Sequence, residues 1–223
     1  MASTSHLSTV RASYDAVAAD YARLLSTELA RKPLDRAVLA AFAECVRGED
    51  PSGGRVVADL GCGPGRVTAH LDGLGVRAFG VDLSPAMVAV ARRSYPGLRF
   101  EVGSMGALDV ADGVLGGVLA WYSTVHTPPS ELSPLFAEFA RVLAPGGYAL
   151  IAFETGDEKI RLEHAYGHPV ELDVYGAPPE HVAALLADAG LAEVARLIRE
   201  PDAQERSPQG FLLTRKAAGA EPA

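Results

Sequence analysis

The residue types best suited to chemistry follow two short apolar runs in the first half of the chain. Val56–Leu60 leads directly into a turn with glycines at alternate positions, Gly61, Gly63 and Gly65. Such glycines let a ligand approach the backbone without a Cβ in the way, and the helix expected next offers unpaired N–H groups. The second run, Val76–Val81, ends at Asp82, whose carboxylate can accept hydrogen bonds from a ribose diol. These features predict a loop that cradles a ligand and an acid that holds its sugar.

The spacing of the glycines separates this loop from two common phosphate-binding loops. A dinucleotide loop has the pattern Gly-x-Gly-x-x-Gly, and a P-loop requires Gly-Lys-Ser or Gly-Lys-Thr. Here Pro64 and Arg66 flank the third glycine, and neither pattern is met. Asp59, just before the first glycine, would repel a bound pyrophosphate. A carboxylate at this point instead favours a ligand that carries positive charge, such as an ammonium or a sulfonium.

Three segments together resemble the motifs of class I S-adenosylmethionine-dependent methyltransferases. They are Asp59-Leu-Gly-Cys-Gly-Pro-Gly65, Asp82-Leu-Ser-Pro-Ala-Met87 and Arg141-Val-Leu-Ala-Pro-Gly-Gly147. Each motif is weak alone, but the three occur in the family's order, and the resemblance covers roughly Tyr14 to Lys216. It implies an α/β fold of Rossmann-like type: a three-layer αβα sandwich with a mostly parallel seven-stranded sheet, an antiparallel last strand and an N-terminal helical lid. It also implies S-adenosylmethionine as the cofactor and S-adenosylhomocysteine as its product.

The resemblance assigns a role to each residue around the glycine loop. The three loop glycines would line the cofactor, and Asp59 would approach its methionine ammonium. Asp82 would hold the ribose hydroxyls, with Leu83 and Met87 packing on the adenine. Met87 is otherwise an ordinary core methionine.

The segment after the third strand departs from the family's pattern. Where the family often has Gly-Asp, this chain has Gly103-Ser104-Met105. The family's acid accepts a hydrogen bond from the adenine amino group. A serine hydroxyl can accept the same bond without charge assistance, so we expect a weaker contact.

The N-terminal segment Tyr14-Asp15-Ala-Val-Ala-Ala-Asp20-Tyr21 resembles the part of small methyltransferases that covers the cofactor. Tyr14 and Tyr21 fall on one helical face, so their hydroxyls could both meet the methionine carboxylate. The alternative is that both are packed aromatics on a buried stripe.

The segment from Trp121 to His126 follows the expected fourth strand, at the sheet edge where α/β proteins bind ligands. Trp121 is expected at the cofactor and Tyr122 in a substrate pocket, since aromatic rings can face a sulfonium. His126 has the pKa range of a general base and is the candidate catalytic residue. The alternative is a structural histidine.

A polar stretch from Glu154 to Ala177 has no predicted helix or strand, and on the family's plan it covers the substrate. Its candidate substrate-binding residues are His164, Tyr166 and Tyr175. Exposed histidines in a mobile loop are the alternative. No metal site is expected, because the nearby acids Asp157 and Asp173 lack a supporting ligand pattern.

The alternation of apolar runs with helical patterns predicts a parallel sheet. The predicted strands are Val56–Leu60, Val76–Val81, Leu98–Val102, Val114–Ala120, Tyr148–Phe153, Leu191–Arg199 and Gln209–Thr214. Ser13 would cap the first helix. Residues 1–50 are predicted to form the lid segment, 51–216 the cofactor-binding domain and 217–223 a disordered tail.

Composition narrows the possible partners of the 223-residue chain. A formal charge of −8 without a basic cluster disfavours nucleic acid. The segment Met1–Val10 lacks the apolar core of a signal peptide, and no apolar stretch is long enough to span a bilayer. Cys45 and Cys62 are too few for a disulfide framework. We therefore expect a cytoplasmic protein with a small-molecule partner; a monomer and a homodimer both remain open.

The predicted function is transfer of a methyl group to the oxygen or nitrogen of a small metabolite by in-line displacement. Three alternatives remain. The same fold could catalyse a non-methylating step such as a cyclisation, or bind the cofactor without catalysis. A nicotinamide oxidoreductase is the third, disfavoured by the glycine spacing and by Asp59.

Overall fold

A central β-sheet organises the fold in this computed structural model, which describes residues 2–48 and 55–218. The strands are β1 (Val56–Leu60), β2 (Arg77–Asp82), β3 (Arg99–Val102), β4 (Leu115–Trp121), β5 (Leu143–Glu154), β6 (Lys159–Ala165), β7 (His168–Tyr175), β8 (Leu191–Arg199) and β9 (Gln209–Lys216). Seven of them form one sheet in the order β3-β2-β1-β4-β5-β9-β8, and β6 pairs with β7.

The direction of the strands confirms the predicted sheet. The five strands β1 to β5 run parallel, and β9 runs antiparallel to both β5 and β8. Every residue of β4 is buried. A strand covered on both faces needs a continuous apolar run, which is why the sequence marks these strands clearly.

Helices cover both faces of the sheet. They are α1 (Ala2–Leu25), α2 (Glu28–Arg31), α3 (Pro33–Gly48), α4 (Arg66–Gly73), α5 (Pro85–Ser94), α6 (Pro129–Val142) and α7 (Pro179–Asp188), with a 3-10 turn at Thr124–His126. Phe42 of α3 and Leu71 of α4 pack in one core cluster, and Phe136 of α6 and Leu186 of α7 pack in another. The result is the expected three-layer sandwich.

The N-terminal region differs from the prediction in two ways. The first helix begins at Ala2 rather than after Ser13, which is buried in mid-helix and accepts a hydrogen bond from the Glu171 backbone N–H at 3.0 Å. Helix α3 packs directly on the sheet. A Cβ at Gly117 of β4 would lie only 2.9 Å from the ring of Phe42 in this helix. The predicted lid of residues 1–50 therefore includes a helix that packs on the sheet. Of the predicted tail, residues 219–223 lie outside the described residues.

The polar stretch after β5 is a β-hairpin, which the sequence prediction missed. Strands β6 and β7 join through Tyr166 and Gly167, whose φ angles of 54° and 85° give the two-residue turn that matches strand twist. Val170 and Leu172 of β7 pack against Val17 of α1. The hairpin thus holds α1 in place over the carboxyl ends of the strands.

Within the two described ranges, no helix combines the length and apolar character needed to cross a membrane. No three His, Cys, Asp or Glu side chains in those ranges converge as metal ligands would. Cys45 and Cys62 are free thiols, and burial raises the pKa of the Cys62 thiol well above its usual value.

Candidate functional site

A cleft opens at the carboxyl ends of β1 to β4, beneath α1. We call it the central cleft. The predicted cofactor residues in its wall are Tyr14, Tyr21, Gly61, Gly63, Asp82, Leu83, Met87, Gly103, Ser104, Met105 and Trp121. It holds about 800 Å³ of empty space, its open mouth included.

Asp82 is fixed between the glycine loop and the start of α5. Its Oδ2 accepts a hydrogen bond from the Gly63 N–H at 2.8 Å, and its Oδ1 accepts one from the Ser84 N–H at 2.8 Å. Burial raises the pKa of Asp82, and these two donors oppose that rise. Each oxygen keeps a lone pair for a further donor, as recognition of a diol requires.

Two glycines of the loop have different physical roles. Gly63 has a φ of 54°, and a Cβ there would project into the cleft, with Tyr21 the nearest described group at 3.8 Å. Gly65 has a φ of 84°, and its Cβ would stand 2.6 Å from the ring of Phe100. Gly65 therefore serves close packing, and it is not among the residues that line the central cleft.

Asp59 also lies elsewhere than expected. It is 1% exposed and outside the wall of the central cleft, and its Oδ2 accepts a hydrogen bond from the Thr68 hydroxyl at 2.6 Å. Burial raises its pKa to about 6. Asp59 thus joins β1 to α4 beneath the loop through its hydrogen bond with Thr68.

The buried carboxylate makes stability depend on pH. The pKa of Asp59 is raised to about 6 in the folded chain, so its ionisation disfavours folding once the pH exceeds the unfolded value of about 3.9. Asp59→Asn keeps an oxygen for the Thr68 hydroxyl. We expect this variant to raise the free energy of unfolding by about 3 kcal/mol near pH 8 and by little near pH 4.

Urea denaturation at the two pH values measures this difference. The exposed Asp72→Asn on α4 is the control and should give no pH-dependent gain. An equal gain for Asp59→Asn at both pH values would show that ionisation of Asp59 is not its cause.

Helix α1 is anchored over the central cleft by polar contacts. Asp15 accepts hydrogen bonds from the Ser84 hydroxyl at 2.6 Å and from the Ala86 N–H at 3.1 Å, at the first turn of α5. A carboxylate is favourable at a helix N-terminus. Asp20 adds a contact at 2.9 Å to His168 of the hairpin. The lid is therefore docked in this structure.

The longer first helix brings residues into the central cleft that the sequence analysis missed. These are His6, Leu7, Val10 and Arg11. The apolar spacing of Leu7, Val10 and Tyr14 continues the helical pattern backwards and was a usable signal.

Tyr14 and His126 form a buried hydrogen-bonded pair. The Tyr14 hydroxyl lies 2.7 Å from His126 Nε2, and His126 Nδ1 lies 2.8 Å from the Asp173 carbonyl oxygen of β7. Because a carbonyl only accepts, Nδ1 carries the proton and Nε2 accepts from Tyr14. The Tyr14 hydroxyl is thus engaged with His126 rather than free for a methionine carboxylate. Burial raises the pKa of Tyr14 and lowers that of His126, so both are neutral near pH 7.

A second cavity lies beneath the hairpin, and we call it the hairpin cavity. It shares four wall residues with the central cleft, which are Tyr14, Tyr21, Tyr122 and His126. His164 and Tyr166 also line it, as expected of substrate residues. Tyr175 does not: it borders a separate apolar cavity near α6 and α7, with the Lys159 ammonium over its ring at 5.4 Å. Glu154, which the sequence analysis did not single out, lines the hairpin cavity.

Aromatic contacts fix the end of β4 where the two cavities meet. The rings of Trp121 and Phe211 lie 5.4 Å apart, and Trp121 meets Tyr122 edge-on at 5.6 Å. Tyr122 has a φ of 54°, which is uncommon for a residue with a large side chain. Such backbone strain concentrates at functional sites, where surrounding packing holds it.

The chain has recognisable relatives. A sequence profile described as a methyltransferase domain matches residues 57–147. The chain is 34% identical over 96 residues to a demethylmenaquinone methyltransferase of Chlorobaculum parvum, covering 43% of this chain and 39% of that protein. It is 37% identical over 139 residues to a trans-aconitate 2-methyltransferase of Methylobacterium nodulans, covering 60% and 48%. The matched segments span less than half of both curated relatives.

Solved structures show the same architecture. A magnesium protoporphyrin IX methyltransferase from Synechocystis PCC 6803, with bound S-adenosylmethionine, matches with a TM-score of 0.71 over 95% of this chain and 97% of that one, at 15% identity. At this identity the likeness concerns the fold. The strand order and the glycine loop are those expected of this fold, and the methyltransferase-domain match covers the first strands of the sheet. Residues 57–147 thus match a methyltransferase domain, and the chain has the fold of S-adenosylmethionine-dependent methyltransferases.

Proposed function

We propose that the protein binds S-adenosylmethionine in the central cleft and transfers its methyl group to an oxygen or nitrogen of a small molecule in the hairpin cavity. The observation that carries this proposal is the shared wall of the two cavities. Because the two cavities share lining residues, a ligand in one lies next to a ligand in the other. Such positioning of two reactants can supply about 7–11 kcal/mol. The relatives support a small acceptor, since their names refer to demethylmenaquinone and trans-aconitate.

The residues of the central cleft fit the cofactor. Asp82 offers two carboxylate oxygens, already oriented by backbone N–H groups, to the ribose hydroxyls. Leu83, Met87 and Met105 supply the apolar slot that an adenine needs, and Ser104 stands at its edge. Gly63 lines the cleft without a Cβ, so the ligand can lie against its backbone. When bound, the cofactor supplies an electrophilic methyl group on a sulfonium.

The protein's own contribution is to exclude water and to accept a proton. Helix α1 and the hairpin cover the junction of the two cavities. An acceptor hydroxyl or amine beside Tyr14 can pass its proton to the Tyr14 oxygen while the Tyr14 proton moves to His126 Nε2. The imidazolium formed keeps its Nδ1 hydrogen bond to the Asp173 carbonyl. His126 thus remains the proposed base, reached through Tyr14.

Two measurements test the proposed function. Calorimetry with S-adenosylhomocysteine should show binding. Incubation of the protein with S-adenosylmethionine and a metabolite extract should give a product heavier by one methylene unit. A product formed without that mass gain indicates a non-methylating enzyme, and binding without any turnover indicates a cofactor-binding module.

The Tyr14 relay predicts the behaviour of a single variant. Tyr14→Phe removes the hydroxyl and leaves a ring edge over His126 Nε2, so turnover of the identified acceptor should fall at least about tenfold. The affinity for S-adenosylhomocysteine should not change. Tyr95→Phe, at the C-terminal end of α5, is the matched control, because it makes the same change at a tyrosine that lines neither cavity. Equal turnover of Tyr14→Phe and the wild type would exclude the relay.

A further inference from the structure

Two cations that line the hairpin cavity, Lys32 and Arg66, are already paired with carboxylates. Lys32 Nζ pairs with Glu205, and with Glu28 at 3.4 Å. Arg66 pairs with the other oxygen of Glu28 at 2.6 Å. Arg199 pairs with Glu205 at 2.7 Å and with Asp35 at 3.2 Å, and Lys32 also lies 3.7 Å from Asp202, so these three cations meet four carboxylates. Lys32 and Arg66 are therefore poor candidates to attract an anionic ligand.

Glu154 of the same cavity is a free carboxylate. It ends β5, where its backbone is paired with Gln209 of β9, so its position is fixed by the sheet. Its side chain is half-buried and makes no hydrogen bond or ion pair with any residue in the described ranges. Burial raises its pKa. A half-buried carboxylate without a partner costs stability, so its presence in a cavity calls for a ligand that compensates it.

Aromatic side chains line the same cavity as this carboxylate. Glu154 lines the hairpin cavity together with Tyr14 and Tyr166, and its negative charge contributes to the raised pKa of both tyrosines. Tyr21 packs edge-on against Tyr166 at 4.8 Å, and Tyr122 lines the same cavity. Tyrosine faces and a carboxylate together form the usual environment for a cationic nitrogen.

We infer that the hairpin cavity recognises a molecule with a positively charged amine, which Glu154 binds among Tyr14, Tyr122 and Tyr166. This inference rests on the proposed function, since it identifies the chemical class of the acceptor. The charged amine serves recognition and need not be the atom that receives the methyl group.

Arg206 is the opposing charge in this cavity. It lies on the exposed segment before β9 and makes no ion pair with Glu154 or another described residue. Its charge lowers the pKa of Glu154 without contact. Solvent screens the charge of an exposed guanidinium, so the half-buried Glu154 determines which charge the bound ligand carries. Arg206→Gln should then leave amine binding unchanged or strengthen it.

The test compares two probes with the same ring and opposite charges, phenethylamine and phenylpropionate. Each is titrated by calorimetry into protein saturated with S-adenosylhomocysteine. The wild type should bind phenethylamine more tightly than phenylpropionate. Glu154→Gln should weaken phenethylamine binding at least about tenfold, as expected for loss of a charged hydrogen bond. The exposed Glu158→Gln is the matched control and should bind like the wild type.

S-adenosylhomocysteine binding separates the two possible failures. If the wild type does not bind it, the proposed function fails. If it binds and Glu154→Gln retains full affinity for phenethylamine, the inference is overturned. Preference for phenylpropionate that disappears in Arg206→Gln, or no binding of phenethylamine at all, overturns it as well.

Discussion

Asp82→Ala is expected to weaken the binding of S-adenosylhomocysteine at least about a hundredfold, because each hydrogen bond to a charged group contributes about 1.5–3 kcal/mol and two ribose hydroxyls would lose their acceptor. The variant also removes the acceptor for the Gly63 and Ser84 N–H groups. Without these hydrogen bonds, the glycine loop is no longer held against the end of β2. Affinity therefore falls through both lost contacts and lost preorganisation.

Calorimetry on the purified variant measures the effect, with circular dichroism to show that it is folded. The exposed Asp72→Ala serves as a control for the loss of one negative charge. Affinity within a few-fold of the wild type would remove Asp82 from the cofactor site and place the ligand elsewhere in the cleft.

The parts of the fold that the sequence predicts well are those where one local rule decides the structure. Strands β1 and β4 are buried on both faces, so they must be continuous apolar runs. Ser84 before Pro85 marks the start of α5, and its hydroxyl does accept from the Met87 N–H at 3.1 Å. Sequence patterns alone therefore locate the sheet and its ligand edge.

The hairpin had a signal that was not used. Apolar residues alternate with polar ones at Ile160 and Leu162 in β6 and at Val170 and Leu172 in β7, and Tyr-Gly lies between them. This alternation is typical of half-buried strands. The Tyr-Gly turn is a weaker mark than Asn-Gly, because its first residue must adopt a positive φ with a large side chain.

Partners distant in sequence could not be predicted. His126 was identified by its residue type, but its contacts come from Tyr14, 112 positions earlier, and from Asp173, 47 positions later. Both arrive only when α1 and the hairpin fold over the strand ends. Asp59 shows the same limit. The sequence places an acid at the loop, and only packing decides that it turns inward to Thr68.

Gly65→Ala and Gly63→Ala should separate fold stability from ligand binding. At Gly65, a methyl group would overlap the ring of Phe100 at 2.6 Å, and φ is 84°. Overpacking and left-handed strain together should lower the free energy of unfolding by about 4 kcal/mol. At Gly63 the methyl group would make only an ordinary van der Waals contact, with the Tyr21 ring at 3.8 Å. The strain there should cost about 1 kcal/mol, while binding of S-adenosylhomocysteine weakens markedly.

Urea denaturation and calorimetry on the two variants provide the comparison. Phe100→Leu in the Gly65→Ala background should recover part of the lost stability, because a smaller side chain relieves the overlap, and the double-mutant cycle gives the coupling. The same substitution should not help Gly63→Ala. Equal losses of stability in the two variants would mean that left-handed backbone strain, and not the overlap with Phe100, determines the cost at both positions. The distinct roles of the two glycines rest on this asymmetry: one keeps the loop packed on β3 and α5, and the other keeps its outer surface open to the ligand.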